Sequence, residues 1–228
     1  MSSPMHAAYK VISRYGRILA LRRRHDLKLY YGCGTVRQDG YVHVDIRYTP
    51  AVDLIADLSW CARWLPGRCS EVYLSHVLEH YRSPGKQVNR GRDSVLGALI
   101  DIARMLHPGG VVRIAVPDFA NLVRVYREQG MDLYPRLLGR LCGEQNYPEN
   151  LHRCLFDRPF LTWCLQETGF VDIRDWQPQS MGLARDGSFD ELAGIGTSLN
   201  LLATKPDSAP VNPRGRQHEA CIRIPSGS

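Results

Sequence analysis

Between Leu27 and Thr204 short β-prone runs alternate with runs of helical period, and this alternation restricts the fold more than any other feature of the chain. Strand-like runs occupy 27–31, 41–46, 51–58, 70–75, 111–116, 170–176 and 198–204. In 95–106, Leu96, Leu99, Ile100 and Ala103 share one helical face, and His107-Pro108-Gly109-Gly110 stops the helix. A second helix is expected over 160–168, ended by Gly169, and 119–150 reads as helical and then looping. Strands that alternate with helices predict an α/β fold: a seven-stranded, mostly parallel sheet with helices on both faces. Seven residues, 35–41, lead from the Gly32–Gly34 turn into the second strand run. A parallel crossover with a helix needs a dozen or more, so the first crossover is expected to be a loop or a single turn.

Composition sets the outer limits. With 228 residues, 44% hydrophobic and 23% charged, the chain suits one globular domain with appendages. No run approaches the roughly 20 apolar residues of a membrane span, and residues 1–26 hold no apolar block of signal-peptide length. Seven scattered cysteines form no C-x-x-C pair, which points to reduced thiols and a cytoplasmic protein.

The net charge of +6 belongs to the ends. Residues 1–26 hold six Lys/Arg against one Asp, and 205–228 hold four against two acids, which leaves 27–204 at −1. A nucleic-acid-binding core is therefore not indicated. In 1–26, Val11, Ile12, Tyr15, Ile18 and Leu19 form the apolar face of a basic helix. That helix is expected to pack on the domain edge, with a membrane-surface helix or a lid as the alternative. The stretch 205–228, with four Pro, two Gly and three Ser, is expected to be disordered.

Polar residues collect where the strands end. Gly32 and Gly34 follow the first, Asp45 ends the second, Asp57 the third, Ser75 and His76 the fourth, and Asp118 the fifth. Ligands of open α/β sheets sit outside those carboxyl ends. A carboxylate after the second strand can accept from both hydroxyls of a ribose, and one after the third from an exocyclic amine. A dinucleotide would want G-x-G-x-x-G and a helix N-terminus for its pyrophosphate. Here Arg37 holds the third glycine position, and the crossover has no room for the helix. An adenosine without phosphate fits better, and S-adenosylmethionine is the common cofactor of that kind.

The ordered motifs carry a resemblance. They are L-Y-Y-G-C-G at 29–34, G-Y-V-H-V-D-I at 40–46, V-D-L-I-A-D-L at 52–58, S-E-V-Y-L-S-H-V-L-E-H at 70–80, M-L-H-P-G-G-V-V-R-I-A-V-P-D at 105–118 and E-T-G-F-V-D-I-R at 167–174. Residues 27–204 resemble the class I S-adenosylmethionine-dependent methyltransferases, and in particular a small bacterial branch in which G-C-G is soon followed by G-[WY]-x-x-x-D. The resemblance implies a Rossmann-like sheet and a set of roles. Tyr31, Gly32, Cys33 and Gly34 would line the methionine moiety. Asp45 would hold the ribose, Ile46 would pack on adenine, and Asp57 with Leu58 would meet the adenine edge. Ser75 and His76 would lie beside the sulfonium. Tyr30 and Val36 depart from the usual acid or Asn and the usual third small residue.

The resemblance implies transfer of a methyl group to a small-molecule acceptor, such as a sugar or another polar metabolite with a hydroxyl. Such an acceptor benefits from a base, and Asp118, His152 and His80 are the candidates. Asp118 has helix capping as its alternative role, and His152 a backbone-bonded loop position. Tyr126, Tyr134, Leu137, Leu138 and Leu141 would form a cap over the site or, equally, ordinary core. His76, Glu79 and His80 also match the H-x-x-E-H zinc pattern. That pattern needs a long helix and a third ligand, whereas the run here starts at a strand end and breaks at Ser83-Pro84-Gly85, so no metal is expected. Two rivals remain: a non-catalytic cofactor-binding or interaction protein, supported by Tyr30 and Val36, and a nucleotide-dependent oxidoreductase on a similar sheet.

Overall fold

A central strand of a parallel sheet is covered on both faces, so it can be apolar at every position. Val112, Ile114, Ala115 and Val116 are all fully buried and lie in the longest strand. The computed structural model describes residues 15–207. Its strands are β1 (Leu27–Tyr31), β2 (Val42–Asp45), β3 (Leu54–Ile55), β4 (Cys69–Ser75), β5 (Leu106–Pro117), β6 (Val171–Asp175), β7 (Glu191–Leu192), β8 (Ile195–Gly196) and β9 (Ser198–Thr204). Seven of them form one sheet in the order β3-β2-β1-β4-β5-β9-β6. The first five run parallel, and β9 is antiparallel to both β5 and β6. The chain winds outward from β1 to β3, then returns to lay β4 on the other side of β1. The switch in strand order therefore falls between β1 and β4, where a crevice opens at the carboxyl ends.

The helices are α1 (residues 15–22 of the described chain), α2 (Leu58–Trp64), α3 (Val95–Met105), α4 (Phe119–Glu128), α5 (Leu138–Cys142) and α6 (Arg158–Glu167). Side-chain caps set several starts. Asp57 accepts from the Trp60 N–H at 2.7 Å, Ser94 from Gly97 at 3.1 Å and Asp157 from Phe160 at 2.9 Å. The buried stripe of α3 runs through Val95, Leu96, Leu99 and Ile102, so Ile102 takes the place expected for Ile100 and Ala103. Each such fully buried aliphatic side chain contributes about 1.5–3 kcal/mol.

One sheet face carries the main core, to which α1, α2, α3 and α6 contribute Ile18, Leu58, Cys61, Leu96, Leu99, Leu161 and Leu165. On the other face Tyr30, Tyr73 and Trp176 form an aromatic layer, with Val36, Tyr41 and Leu183 packed against it. Beneath that layer Glu71 accepts from Arg113 Nε at 2.8 Å and from the Tyr41 hydroxyl at 2.6 Å. A third, smaller cluster joins Leu122, Val125, Leu137 and Leu192, from α4, the turn at 133–137 and the β7–β8 hairpin.

The first crossover, 32–41, contains no helix, as its length required. The third segment is shorter than expected. Only Leu54 and Ile55 pair with β2, because Asp53 turns back to accept from the His43 N–H at 2.9 Å and Asp57 is spent on capping α2. In α1, Ile18 is buried, Tyr15 stands edge-on to Trp60 and Trp64, and the Arg22 guanidinium lies over Trp64. The described part of this helix packs on the domain edge. Val11 and Ile12 lie outside the described residues, as do 208–228 of the stretch expected to be disordered. Lys205 is held in place: its ammonium donates to the carbonyls of Ala103 and Leu106 at 2.8 and 2.7 Å. No helix among the described residues is long and apolar enough to cross a membrane.

Candidate functional site

The turn after β1 is built to let backbone approach backbone. Gly32 has φ +73°, and a Cβ there would lie 2.3 Å from Cγ2 of Val77, which follows β4. Gly34 has φ +54° and open space on its Cβ side. Both conformations favour glycine. The carboxyl ends of β1 and β4 thus meet at the switch point, and a hollow of about 410 Å³ opens beside them.

Asp45 lines this hollow and is nearly buried. One carboxylate oxygen accepts from the Gly34 N–H at 3.0 Å, the other from the Arg47 N–H at 2.8 Å. Each oxygen keeps a lone pair, so the carboxylate fixes both loops and still has acceptor capacity to offer. Ile46 beside it is 45% exposed and forms an apolar platform on the wall. Tyr31, Asp57, His76 and His80 also line the hollow. Three expected residues do not. Cys33 is buried in the aromatic layer, and burial raises its thiol to about 12. Ser75 is buried with no hydrogen-bond partner for its hydroxyl. Leu58 points into the main core, and its N–H already donates to the Tyr31 hydroxyl at 3.1 Å.

Arg47, Tyr81, Asp93, Tyr147, Glu149 and Arg153 complete the walls and were not foreseen from the sequence. Arg47 lies 3.8 Å from the Tyr147 ring centroid and donates to its hydroxyl at 3.0 Å, which bridges the mouth. The lining includes four acids, Asp45, Asp57, Asp93 and Glu149, against two arginines. A ligand with net positive charge is favoured there.

His76 sits at the centre. Its φ is +54°, a strained value for a residue other than glycine. The Ser198 hydroxyl donates to Gly187 O at 2.6 Å, so it must accept from His76 Nε2 at 2.7 Å. That fixes the proton on Nε2 and leaves Nδ1 bare. Burial lowers the His76 pKa, so the ring is neutral near pH 7.

A second hollow, of about 430 Å³, shares His76, His80 and Tyr147 with the first. Its other walls include Arg140, Glu144, Asn150, His152, Arg185 and Asp186. His152 is placed by two backbone bonds: its N–H donates to Cys142 O at 3.1 Å, and Nδ1 donates to Arg140 O at 3.0 Å. Burial, then the neighbouring His80, lowers its pKa to about 4. His80 donates from Nδ1 to Leu151 O at 3.2 Å, and burial lowers it too. The two rings meet edge to face at 4.9 Å. Gly143 makes this loop feasible, since a Cβ there would meet Asn150 O at 2.2 Å.

The structure does not bring Asp118 to either hollow. Its carboxylate caps α4, accepting from Ala120 at 3.0 Å and Asn121 at 3.4 Å, and it lines a separate groove with Arg124 and Arg158. Of the residues expected as a cap, Leu137 is buried in the small third cluster, while Tyr126 and Tyr134 are exposed and line neither hollow. Tyr30, on the far face of β1, donates to Asp186 at 2.9 Å, and Tyr73 donates to the same oxygen at 2.7 Å. An acid from the 183–190 segment therefore stands next to the tyrosine that occupies the place of the usual one.

No protein-family model and no curated protein matches the chain. Solved structures similar to it include the CurJ carbon methyltransferase, at 16% identity and TM-score 0.47, over 80% of this chain and 49% of that one. The chain thus spans about half the length of that protein. A SAM-dependent methyltransferase from Archaeoglobus fulgidus aligns at 14% identity and TM-score 0.46, over 86% and 94% of the two chains. The Burkholderia thailandensis 1,6-didemethyltoxoflavin-N1-methyltransferase, solved with 1,6-didemethyltoxoflavin and S-adenosylhomocysteine, aligns at 19% identity and TM-score 0.46, over 91% and 92%.

Proposed function

We propose that the hollow at the switch point binds S-adenosylmethionine and that the protein transfers its methyl group to a small polar molecule held in the adjoining hollow. One observation carries the reading: Asp45 and Asp57 face the Gly32–Gly34 turn around a single cavity whose glycine turn leads into no helix. Pyrophosphate finds no helix N-terminus at that turn, and the N-terminus of α2 on the wall is already capped by the Asp57 carboxylate, which counts against a dinucleotide. The acid excess of the walls suits a ligand whose ammonium and sulfonium outweigh its carboxylate. Asp45 would accept from the ribose hydroxyls, Ile46 would support the adenine face, and Asp57 would meet its edge. When bound, the cofactor supplies a methyl group already activated by positive sulfur.

The chain's own share is placement and proton handling. His76, His80 and Tyr147 line both hollows, so the two adjoin and a donor in one would lie next to an acceptor in the other. Holding two reactants in line accounts for much of the rate gain in such displacements. Neutral His80 and His152 are the groups positioned to receive an acceptor's proton. Arg140, Glu144, Asn150, Arg185 and Asp186 give the second hollow a hydrogen-bonding surface that fits a hydroxyl-rich metabolite such as a sugar.

Calorimetric titration tests the reading. S-Adenosylhomocysteine is expected to bind with 1:1 stoichiometry, and NAD is not. Heat from NAD alone, or from neither at millimolar ligand, would overturn it.

A further inference from the structure

Among the described residues Glu79 is the most deeply buried acid. It lies in the single turn Leu78–His80 and is 1% accessible, and neither carboxyl oxygen has a hydrogen-bond partner. A buried carboxylate left bare costs several kcal/mol, and native structures rarely tolerate it without a compensating charge. Burial raises its pKa to about 8.

Three neighbours aim at it. His152 Nε2 is 4.0 Å from Oε1, and His76 Nδ1 is 3.6 Å from the same oxygen. Ligand atoms of Glu79, His80 and His152 all lie within 4.8 Å of one another. The protons of the histidines are already assigned. His152 and His80 each donate Nδ1–H to a backbone carbonyl, Arg140 O and Leu151 O, which leaves both Nε2 lone pairs for the cluster. Metal-binding histidines carry this outer support as a rule, since it fixes tautomer and ring orientation. The loop is also tied to the turn: the N–H groups of Arg153 and Cys154 both donate to Glu79 O, at 2.7 and 3.1 Å. His152, distant in sequence, is the third ligand that the H-x-x-E-H run lacks by itself.

We propose that Glu79, His80 and His152 bind one divalent transition-metal ion, of which zinc is the representative. Two imidazoles and a carboxylate form a donor set suited to zinc and its neighbours. Zinc lies about 2.0–2.2 Å from each such ligand, so binding draws the three side chains together. Three protein ligands leave a coordination position open, and His80 and His152 both border the second hollow, so that position faces whatever molecule occupies it. With the ion bound, the Nε2 lone pairs of His80 and His152 are engaged and cannot receive an acceptor's proton at the same time, whereas the His76 Nδ1 lone pair, 3.6 Å from Glu79 Oε1, stays free. The site needs neither the cofactor nor methyl transfer, and it is tested without them.

The experiment uses the full chain, stripped with a chelator and then titrated with Zn²⁺ and, separately, Co²⁺. One ion per chain is expected. The Co²⁺ form is expected to show d–d bands of nitrogen and oxygen ligation without thiolate charge transfer, which separates this site from the cysteines. Glu79→Gln keeps the side chain's shape and removes its charge. Both it and His152→Ala should weaken Zn²⁺ binding by more than the about 10–100-fold that losing an outer-shell partner costs, while circular dichroism shows each variant folded. Absence of stoichiometric binding to the unmodified chain, a thiolate spectrum, or affinity that survives both substitutions in folded protein would each overturn the proposal.

Discussion

Replacing Gly32 by alanine tests whether the close meeting of β1 and β4 is a requirement of the fold. Two penalties can be read from the geometry. The φ of +73° lies where a Cβ crowds the following carbonyl, at about 1–2 kcal/mol. The new Cβ would sit 2.3 Å from Val77 Cγ2, a contact that forces neighbours apart, at about 1–3 kcal/mol. Gly32→Ala should therefore lose about 2–5 kcal/mol of stability in urea unfolding, a large part of the 5–15 kcal/mol usual for a domain. A double-mutant cycle separates the two penalties. The same Cβ would be 3.6 Å from Val77 Cβ, an ordinary contact, so Val77→Ala removes the clash and leaves the backbone cost. The cycle should return a coupling of about 1–3 kcal/mol in favour of the double variant. Additivity within about 0.5 kcal/mol would refute the claim that Gly32 is required by Val77.

Asp45→Ala should weaken S-adenosylhomocysteine by about 1.5–3 kcal/mol, the usual worth of hydrogen bonds to a charged group, and calorimetry reads this directly. Equal affinity would remove Asp45 from the site. Asp190 supplies a pH prediction: burial pushes its carboxyl up, but bonds from Arg140 and Thr197 outweigh this and hold it below the ordinary range. A carboxylate with a depressed folded pKa stabilises above its unfolded value and loses that contribution as pH falls through the folded one. The Tm deficit of Asp190→Asn should hence be constant from pH 7 to about 5 and shrink below about 4; a deficit that persists at pH 2.5 contradicts the assignment. Glu71→Ala leaves Arg113 buried without its partner and should cost about 3–5 kcal/mol in urea unfolding, whereas a loss under 1 kcal/mol would mean that the pair is solvated.

What the sequence disclosed follows from how local each signal is. The strand runs 27–31, 70–75 and 198–204 each hold a short β-prone apolar group, Leu29–Tyr31, Val72–Leu74 and Leu201–Ala203, and all three fall within a residue of the observed elements. Helix α2 was not anticipated, because Leu58–Trp64 has no long apolar period and depends on the Asp57 cap and on packing against α3. The β7–β8 hairpin has only two residues per strand, too few for a pattern of period two. In the site, the glycine pair, Asp45 and Asp57 were legible because strand ends place them. Ser75 was misplaced because adjacent residues on a strand point to opposite faces, Cys33 because the turn after β1 directs it into the aromatic layer, and Leu58 because it opens α2 and faces the main core. Asp186 and Arg47 gave no signal at all, since their partners lie 156 and 100 residues away in the chain. Glu79 was visible as a letter in a motif, but its isolation from every donor is a property of the packed interior.

The cluster of Leu122, Val125, Leu137 and Leu192 does not touch the sheet's main interior. Four aliphatic side chains hold far less free energy than the core that binds the strands. Amide exchange in α4, α5 and the β7–β8 hairpin should thus proceed by partial opening while the sheet remains closed. Arg140 and Asp190, which wall the second hollow, ride on those elements, so the enclosure breathes on a faster clock than the turn that grips Gly32.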